Sequence, residues 1–411
     1  MIHMKSVTKE IQHDKWMDRI EFVTGKADKL HNLPKISAWT SFDERIISFL
    51  NEMSNALIKE RRTKNHPDIV SLAFWIRRSN VQYMRQNYPD CEERLGKGVA
   101  YHIAPANVAL SFTYSLVVGL LAGNINIVRL SSRHFDQAEI FCSVLNSILE
   151  QDYYQTVAER IFLVKYEHDK EITDALSSIC NMRIVWGGDA TIATIRLSPI
   201  QPRTTEVTFA NRFSICLINA DTYLFKCNPK KIAYDFFLDT YLTDQNACSS
   251  PRIIFWFGKK TKEAQDVFWS ALYEHFLHDY TLPPVITVDK LVVACRYASA
   301  NNCRVIPTPD YKLLRVRPQH LSTSILDNLS SCGFFYEYDI TAVEEILPVC
   351  TRECQTLSYI GFDKSDLKKV VLENTPFGID RIVPVGHTMD FGMIWDGVDL
   401  IRELTRVVVT K

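Results

Sequence analysis

A cysteine in a polar loop between two apolar stretches carries the most chemical promise in this sequence. The loop is Thr243-Asp244-Gln245-Asn246-Ala247-Cys248-Ser249-Ser250-Pro251-Arg252. An aromatic, helix-compatible run (Ala233 to Leu242) precedes it, and an apolar β-type run (Ile253-Ile254-Phe255-Trp256-Phe257) follows. A thiol on a short loop fixed by rigid flanks is suited to nucleophilic attack on a carbonyl. Cysteine is also a common small core residue, so Cys248 alone supports either reading.

The other reactive residue types do not assemble in the sequence. Among the 11 cysteines there is no CxxC pair. Cys350 and Cys354 lack the second half of a zinc motif, and His275 and His278 stand unaccompanied, so no metal site is expected. The 46% hydrophobic and 23% charged residues are globular in balance, and 411 residues are enough for two domains. A net charge of −1 gives no electrostatic case for nucleic acid, and Lys59-Glu60-Arg61-Arg62 and Arg77-Arg78 read as solvated helix faces. The polar, mixed-charge start (Met1 to Lys15) does not read as a signal peptide. The most apolar window, Val108 to Leu121, is too short to span a bilayer. A reducing, cytoplasmic setting is the expectation.

The elements that must position Cys248 come in alternation. Ser41-Phe42-Asp43-Glu44 opens a helix with Ile46, Ile47, Phe49, Leu50, Met53 and Leu57 on its apolar face, and Pro67-Asp68 opens another. Strands are predicted at 96–104, 125–130, 161–164 and 182–186, separated by helices near 108–122, 135–151 and 171–180. That alternation predicts a doubly wound α/β sheet, whose ligands gather at the carboxyl ends of the strands. The loops to watch are therefore Pro105-Ala106-Asn107, Arg129-Leu130-Ser131-Ser132 and Gly187-Gly188-Asp189. None is a GxGxxG fingerprint or a P-loop. A second α/β block, with strands at 214–218, 253–257, 305–306, 313–316 and 334–338, carries Cys248 on a loop facing the first. The tail Glu403 to Lys411 reads as an exposed strand that invites pairing.

Several of these segments together resemble the long-chain acyl-CoA reductases, the fatty acid reductases of bacterial luminescence, within the aldehyde dehydrogenase superfamily. They are His102-Ile103-Ala104-Pro105-Ala106-Asn107-Val108, Leu120 to Arg129, Asp244 to Arg252, Gly378 to Gly386, Asp390-Phe391 and Trp395-Asp396-Gly397, and the likeness covers roughly residues 95–411. The resemblance implies an aldehyde dehydrogenase-like fold of two doubly wound α/β domains. Residues 1–211 would be the cofactor-binding domain with an N-terminal helical region, and 212–385 the catalytic domain. Residues 386–411 would form a C-terminal return and oligomerisation strand.

It also implies roles. Cys248 matches the nucleophile, and Asn107 the oxyanion-hole amide. His102, Ala104, Pro105, Arg129, Ser131, Ser132, Gly187 and Gly188 fall in cofactor-binding segments. Glu344 or Glu345, one residue out of register with the family pattern, corresponds to the glutamate on the nicotinamide ribose. Where the superfamily keeps a ribose-binding glutamate stands Ser132. A serine does not repel a 2′-phosphate and Arg129 or Arg133 could pair with one, which favours NADPH over NADH. Thr208 stands where hydrolytic members keep a water-activating carboxylate, with Glu206 two residues earlier as a possible base.

The implied activity is NADPH-dependent reduction of a long-chain acyl-CoA or other acyl thioester to the aldehyde through an acyl-cysteine. The implied partners are an acyl-CoA, acyl-carrier or acyl-protein donor, further copies in a homo-oligomer, and an acyl-activating enzyme. Competing readings are an aldehyde-oxidising or hydrolytic dehydrogenase and an acyl-accepting subunit that does not reduce. The aromatic residues Phe236-Phe237, Tyr241 and Phe255-Trp256-Phe257 read as core before they read as an acyl tunnel.

Overall fold

Alternating strands and helices form two α/β units in the computed structural model, which describes residues 15–105 and 108–410. The first unit ends at Phe209 and takes back the chain from Asp399; the second is Ala210–Val398. The segment 386–398, expected in the C-terminal return, therefore packs with the second unit.

The first unit contains β1 (Glu21–Thr24), β2 (Arg94–Gly96), β3 (Val99–Ile103), β4 (Ile125–Arg129), β5 (Ile161–Lys165), β6 (Met182–Trp186) and β7 (Thr205–Phe209). Six of them make a sheet in the order β1-β5-β4-β3-β6-β7, parallel except for the antiparallel edge strand β1. β3 and β6 are buried along their whole length, as expected of central strands covered on both faces. The chain runs outward from β3 through β4 to β5, then crosses back to β6 and β7. The direction of winding thus reverses between β3 and β6. The stretch expected as one strand, 96–104, is broken after Gly96: β2 leaves the sheet and pairs instead with the C-terminal strand.

A polar knot sits inside this apolar sheet. His102 on β3 is fully buried. Its Nδ1 meets Ser115 Oγ at 2.7 Å and its Nε2 meets Asn126 Oδ1 at 3.0 Å, while Trp186 Nε1 donates to the same Ser115 oxygen. Burial pushes the imidazole down to about 4, so it stays neutral. Both ring nitrogens are spent within the unit. His102 therefore braces β3, β4 and the helix Ser111–Leu121, and its expected place against a cofactor is corrected.

The second unit holds β8 (Phe213–Asn219), β9 (Pro251–Phe257), β10 (Cys303–Pro307), β11 (Leu314–Pro318), β12 (Phe334–Ile340), β13 (Cys354–Ile360) and β14 (Arg381–Pro384). Their order is β10-β11-β12-β9-β8-β13-β14, parallel except at β10–β11. Successive side chains alternate between two apolar layers. Ile215, Leu217, Ile253 and Phe255 face one, and Cys216, Ile218, Ile254 and Trp256 face the other. Phe236 packs edge-on against Phe268 at 5.0 Å within the second layer, so these aromatics are core. Two short strands, β15 (Ile394–Trp395) and β16 (Val398–Asp399), pair with each other around Asp396 and Gly397.

The tail is shorter as a strand than expected. Leu400–Glu403 is helical, and only β17 (Thr405–Val407) pairs, antiparallel, with β2. Arg94 of β2 reaches Thr405 Oγ1 at 3.1 Å, and Val408 N donates to Glu93 O at 2.9 Å. The partner edge lies in the same chain, while Val408 and Val409 are left exposed.

The knot gives a stability test. A methyl group at Gly119 would stand 2.0 Å from Asn126 Oδ1 and 3.1 Å from His102 Cε1, and both neighbours are fixed by their own hydrogen bonds. Gly119→Ala is expected to cost about 1–3 kcal/mol by overpacking. Urea unfolding should show a lower midpoint at unchanged slope.

Candidate active site

The loop bearing Cys248 is held in an unfavourable backbone shape by one side chain. Asp244 and Gln245 have φ of 51° and 57°. Left-handed conformations at non-glycine residues cost about 1–3 kcal/mol each. The fully buried Gln245 amide offsets this with four hydrogen bonds. Its Nε2 donates to Pro251 O (2.9 Å) and Phe334 O (3.1 Å), and its Oε1 accepts from the amides of Gly333 (3.0 Å) and Phe334 (3.2 Å). Arg252 adds bonds to Gln245 O and Ser330 O, and Tyr280 donates to Asp244 Oδ1. Ser214 Oγ donates to Cys248 O at 2.7 Å while accepting from Thr356 N. The loop is thus tied to β8, β12 and β13.

The Cys248 thiol is half-buried and meets Gln355 Nε2 at 3.2 Å. The same amide nitrogen donates to Asp396 Oδ1. Arg212 pairs with Asp380 and lies 3.7 Å from Asp396 Oδ2. Burial, and after it the Asp396 carboxylate, push the thiol up to about 11, against the opposing pull of the Gln355 hydrogen bond. Burial also raises the Asp396 carboxyl, opposed by Gln355 and Arg212. Close by, Ser249 Oγ lies 3.6 Å from Met389 Sδ. Met389 belongs to a loop whose Gly386 and Thr388 amides are both held by the buried Asp239 carboxylate (2.6 and 3.1 Å).

Five of these residues lie at the amino ends of parallel strands, and Asp396 on the turn between β15 and β16. Arg212 and Ser214 open β8, Cys248 precedes β9, Gln355 begins β13 and Asp380 precedes β14. This site is thus at the opposite strand ends from the loops expected to bind ligands in the first unit. Gln355, Arg212, Asp380 and Asp396 are site residues that the sequence does not single out. Asp380 and Asp396 stand inside segments that carried the resemblance, and Gln355 is a polar residue starting a strand with no periodic signal.

The other expected site residues have definite places. Glu206 on β7 takes Arg183 Nε at 2.7 Å and Arg196 Nε at 2.8 Å. Burial is the largest single influence and pushes its carboxyl up, but the bonds from Arg196 and Arg183 together outweigh it and hold the carboxyl below its ordinary value. A carboxylate clamped by two guanidinium groups is a poor proton acceptor, so its candidacy as a base is corrected. Glu345 Oε1 accepts from Thr341 Oγ1 (2.7 Å) and from the amides of Thr341 and Ala342 (both 2.9 Å), capping the helical turn Val343–Val349. Glu344 is exposed. Asn107 lies outside the described residues.

Ala104 and Pro105 follow β3, and Gly187 and Gly188 follow β6, on either side of the reversal in winding. Crevices outside the carboxyl ends at such a reversal are where open α/β sheets receive nucleotides. Gly188 starts the helix Asp189–Arg196, and a Cβ at Gly187 would press on Thr191 at 3.1 Å. Arg129 is turned inward: it donates to Tyr166 O (3.2 Å) and lies over the Tyr166 ring at 4.6 Å. Ser131 Oγ accepts from Arg133 N, and Ser132 and Arg133 are exposed. Of the two arginines expected near a 2′-phosphate, Arg133 is the one left at the surface. Among the described residues no group of three or more His, Cys, Asp or Glu could hold a metal, and no helix is long and apolar enough to cross a membrane.

A family model described as acyl-CoA reductase (LuxC) matches residues 21–289, well over half of the sequence. The chain belongs to this family. The matched span starts far upstream of the segments that carried the resemblance and stops before Gln355 and Asp396. A similar curated protein is the long-chain acyl-protein thioester reductase of Vibrio harveyi, 24% identical over 328 residues that cover 76% of this chain and 64% of the relative. The chain spans less than two-thirds of the length of the curated relatives it matches.

The aldehyde dehydrogenase fold is shared with solved structures. An NAD-dependent benzaldehyde dehydrogenase from Corynebacterium glutamicum superposes with a TM-score of 0.62 at 15% identity, covering 90% of this chain and 85% of that one. Lactaldehyde dehydrogenase from Escherichia coli gives 0.61 at 14% identity, covering 89% and 86%. Both identities are low enough that the likeness speaks for fold alone.

Two measurements follow from the site's electrostatics. A thiol held near 11 alkylates through its small thiolate fraction, so iodoacetamide labelling of Cys248 should rise about tenfold per pH unit from pH 7 to 10. Peptide mapping by mass spectrometry reads it, and a labelling rate flat across neutral pH would contradict the assignment. The second concerns Asp239, whose carboxyl burial pushes up to about 6 from 3.8. The folded state binds this proton more tightly than the unfolded state. The contribution is therefore full below about pH 4, falls as pH rises to about 6, and is flat above. Asp239→Asn should abolish that slope in urea midpoints measured from pH 4 to 7, whatever its absolute stability.

Proposed function

We propose that this chain reduces a long-chain fatty acyl thioester to the aldehyde, with Cys248 as the acyl acceptor. The observation that carries the reading is the contrast between two side chains. Cys248 sits on a rigid loop with an amide donor on its sulfur, whereas Glu206 is clamped by Arg183 and Arg196. A Glu206 carboxylate held by two guanidinium groups is ill suited to activate water, which supports reduction over hydrolysis or aldehyde oxidation.

In this reading the Cys248 sulfur attacks the thioester carbonyl, and the donor's thiol leaves. One thioester replaces another, so the exchange is nearly balanced and needs no ATP. The backbone N–H of Cys248 and the Asn107 amide hold the developing oxyanion; such a donor is typically worth about 10²–10³-fold in rate. A reduced nicotinamide dinucleotide supplies the hydride when bound. Ala104, Pro105, Gly187 and Gly188 are the residues suited to hold its phosphates. By the resemblance, exposed Ser132 stands where a ribose glutamate would exclude a 2′-phosphate, and exposed Arg133 is free to approach one, which favours NADPH. Collapse of the thiohemiacetal frees the aldehyde and returns the Cys248 sulfur.

The Vibrio harveyi relative is a reductase of acyl-protein thioesters. An acyl protein is therefore a donor to set beside acyl-CoA, with an acyl-activating enzyme as its source. The exposed Val408 and Val409 beyond β17 favour association with a second copy. A cytoplasmic setting suits the 11 free thiols.

Incubation with labelled acyl-CoA should place label on Cys248, and NADPH should then release fatty aldehyde. Cys248→Ala should do neither. Label released as free acid without NADPH would contradict the reductase reading, and faster release with NADH than with NADPH would contradict the cofactor preference.

A further inference from the structure

Resting on the reading of Cys248 as the acyl acceptor, we propose that Asp396 is the proton acceptor for its thiol and that Gln355 is the positioning residue that holds both. The Gln355 amide has two N–H donors. One meets the Cys248 sulfur at 3.2 Å and the other meets Asp396 Oδ1. Sulfur and carboxylate thus contact one nitrogen from two sides, a separation that one bridging water spans for proton transfer. The carboxylate also fixes the amide's orientation. It accepts and does not donate, so the NH2 end must point toward it and toward the sulfur, while Gln355 Oε1 accepts from Thr356 Oγ1 at 3.2 Å.

Asp396 is built into place. Its φ of 49° is left-handed, the following Gly397 has φ 74°, and a Cβ on Gly397 would stand 3.0 Å from Asp380 Oδ1. Its other oxygen lies 3.7 Å from Arg212 Nε, and Arg212 is shared with Asp380. The charged and titratable groups facing Asp396 are therefore Arg212 from the segment entering β8, Asp380 from that entering β14, and the Cys248 thiol. Burial raises the Asp396 carboxyl against the pull of the Gln355 bond and then of Arg212, and burial followed by the Asp396 charge raises the Cys248 thiol.

The step balances without an added reagent. The S–H bond of Cys248 breaks as its proton passes to a bridging water, which hands a proton to the Asp396 carboxylate, and the sulfur's electron pair forms the new C–S bond. The bond from the carbonyl to the donor's sulfur then breaks, and the departing thiolate takes the proton from the Asp396 carboxyl.

Two rates measured on the unmodified protein test this. Alkylation by iodoacetamide uses preformed thiolate and should climb with pH toward about 11. Acylation by acyl-CoA should instead rise as the Asp396 carboxyl ionises and level off at a lower pH than alkylation, because the ionised carboxylate is then fully available. Parallel profiles for the two reactions, with label on Cys248, would overturn the role of Asp396 and leave the nucleophile assignment standing. Absence of label from Cys248 would take both down. Asp396→Asn should move the two rates in opposite directions: acylation falls about 100-fold, while alkylation at pH 8 rises because a charge opposing the thiolate is gone. A common fall in both rates would reduce Asp396 to a structural residue and overturn the proposal. Gln355→Leu should slow both reactions, and restored acylation in Gln355→Asn would overturn the positioning role, since the shorter amide cannot reach both partners.

Discussion

The catalytic loop depends on one buried amide. Gln245 occupies a backbone conformation that costs free energy, and its side chain offsets it through hydrogen bonds to Pro251 at the far end of the loop and to Gly333 and Phe334 at the start of β12. Every donor and acceptor involved would otherwise be buried without a partner, a loss of about 1–3 kcal/mol for each. The loop therefore has little choice of shape. That rigidity delivers the Cys248 carbonyl to Ser214 and the Cys248 sulfur to Gln355, at the amino ends of β8 and β13.

Around the sulfur, opposing charges are balanced rather than summed in one direction. The Gln355 donor favours thiolate, while burial and Asp396 favour thiol. A thiol kept protonated at rest is protected from oxidation and alkylation, because the thiolate is the reactive form. Arg212, placed between Asp380 and Asp396, limits how much negative charge the pocket holds. In the first unit polarity is used differently. His102, Ser115, Asn126 and Trp186 satisfy one another inside an apolar sheet, and the neutral imidazole carries no charge that burial would penalise.

Much of the architecture was legible in the chain. β-branched and aromatic runs at 125–130, 161–164, 182–186, 214–218 and 253–257 became strands, and the helices between them followed from capping residues and apolar spacing. β13 was not legible: Cys354-Gln355-Thr356-Leu357-Ser358 mixes polar and apolar residues without period, and it is a strand because parallel neighbours on both sides satisfy its backbone. The tail read as a free strand because sequence cannot show that β2, detached from β3 after Gly96, offers it an edge.

By itself the sequence determined the nucleophile candidate, the two α/β blocks and the loops beside the winding reversal of the first unit, because these rest on local pattern and on motifs of adjacent residues. The tertiary structure decided what each charged or polar side chain is for. His102 and Glu206 were drawn into buried contacts with residues 13 and 23 positions away, and Glu345 into a local cap. Gln355 was brought from 107 positions away to the sulfur of Cys248, and Asp396 from 41 positions away to Gln355. A side chain's chemistry is set by the donors, acceptors and charges within a few ångströms of it, and chain folding alone chooses those neighbours.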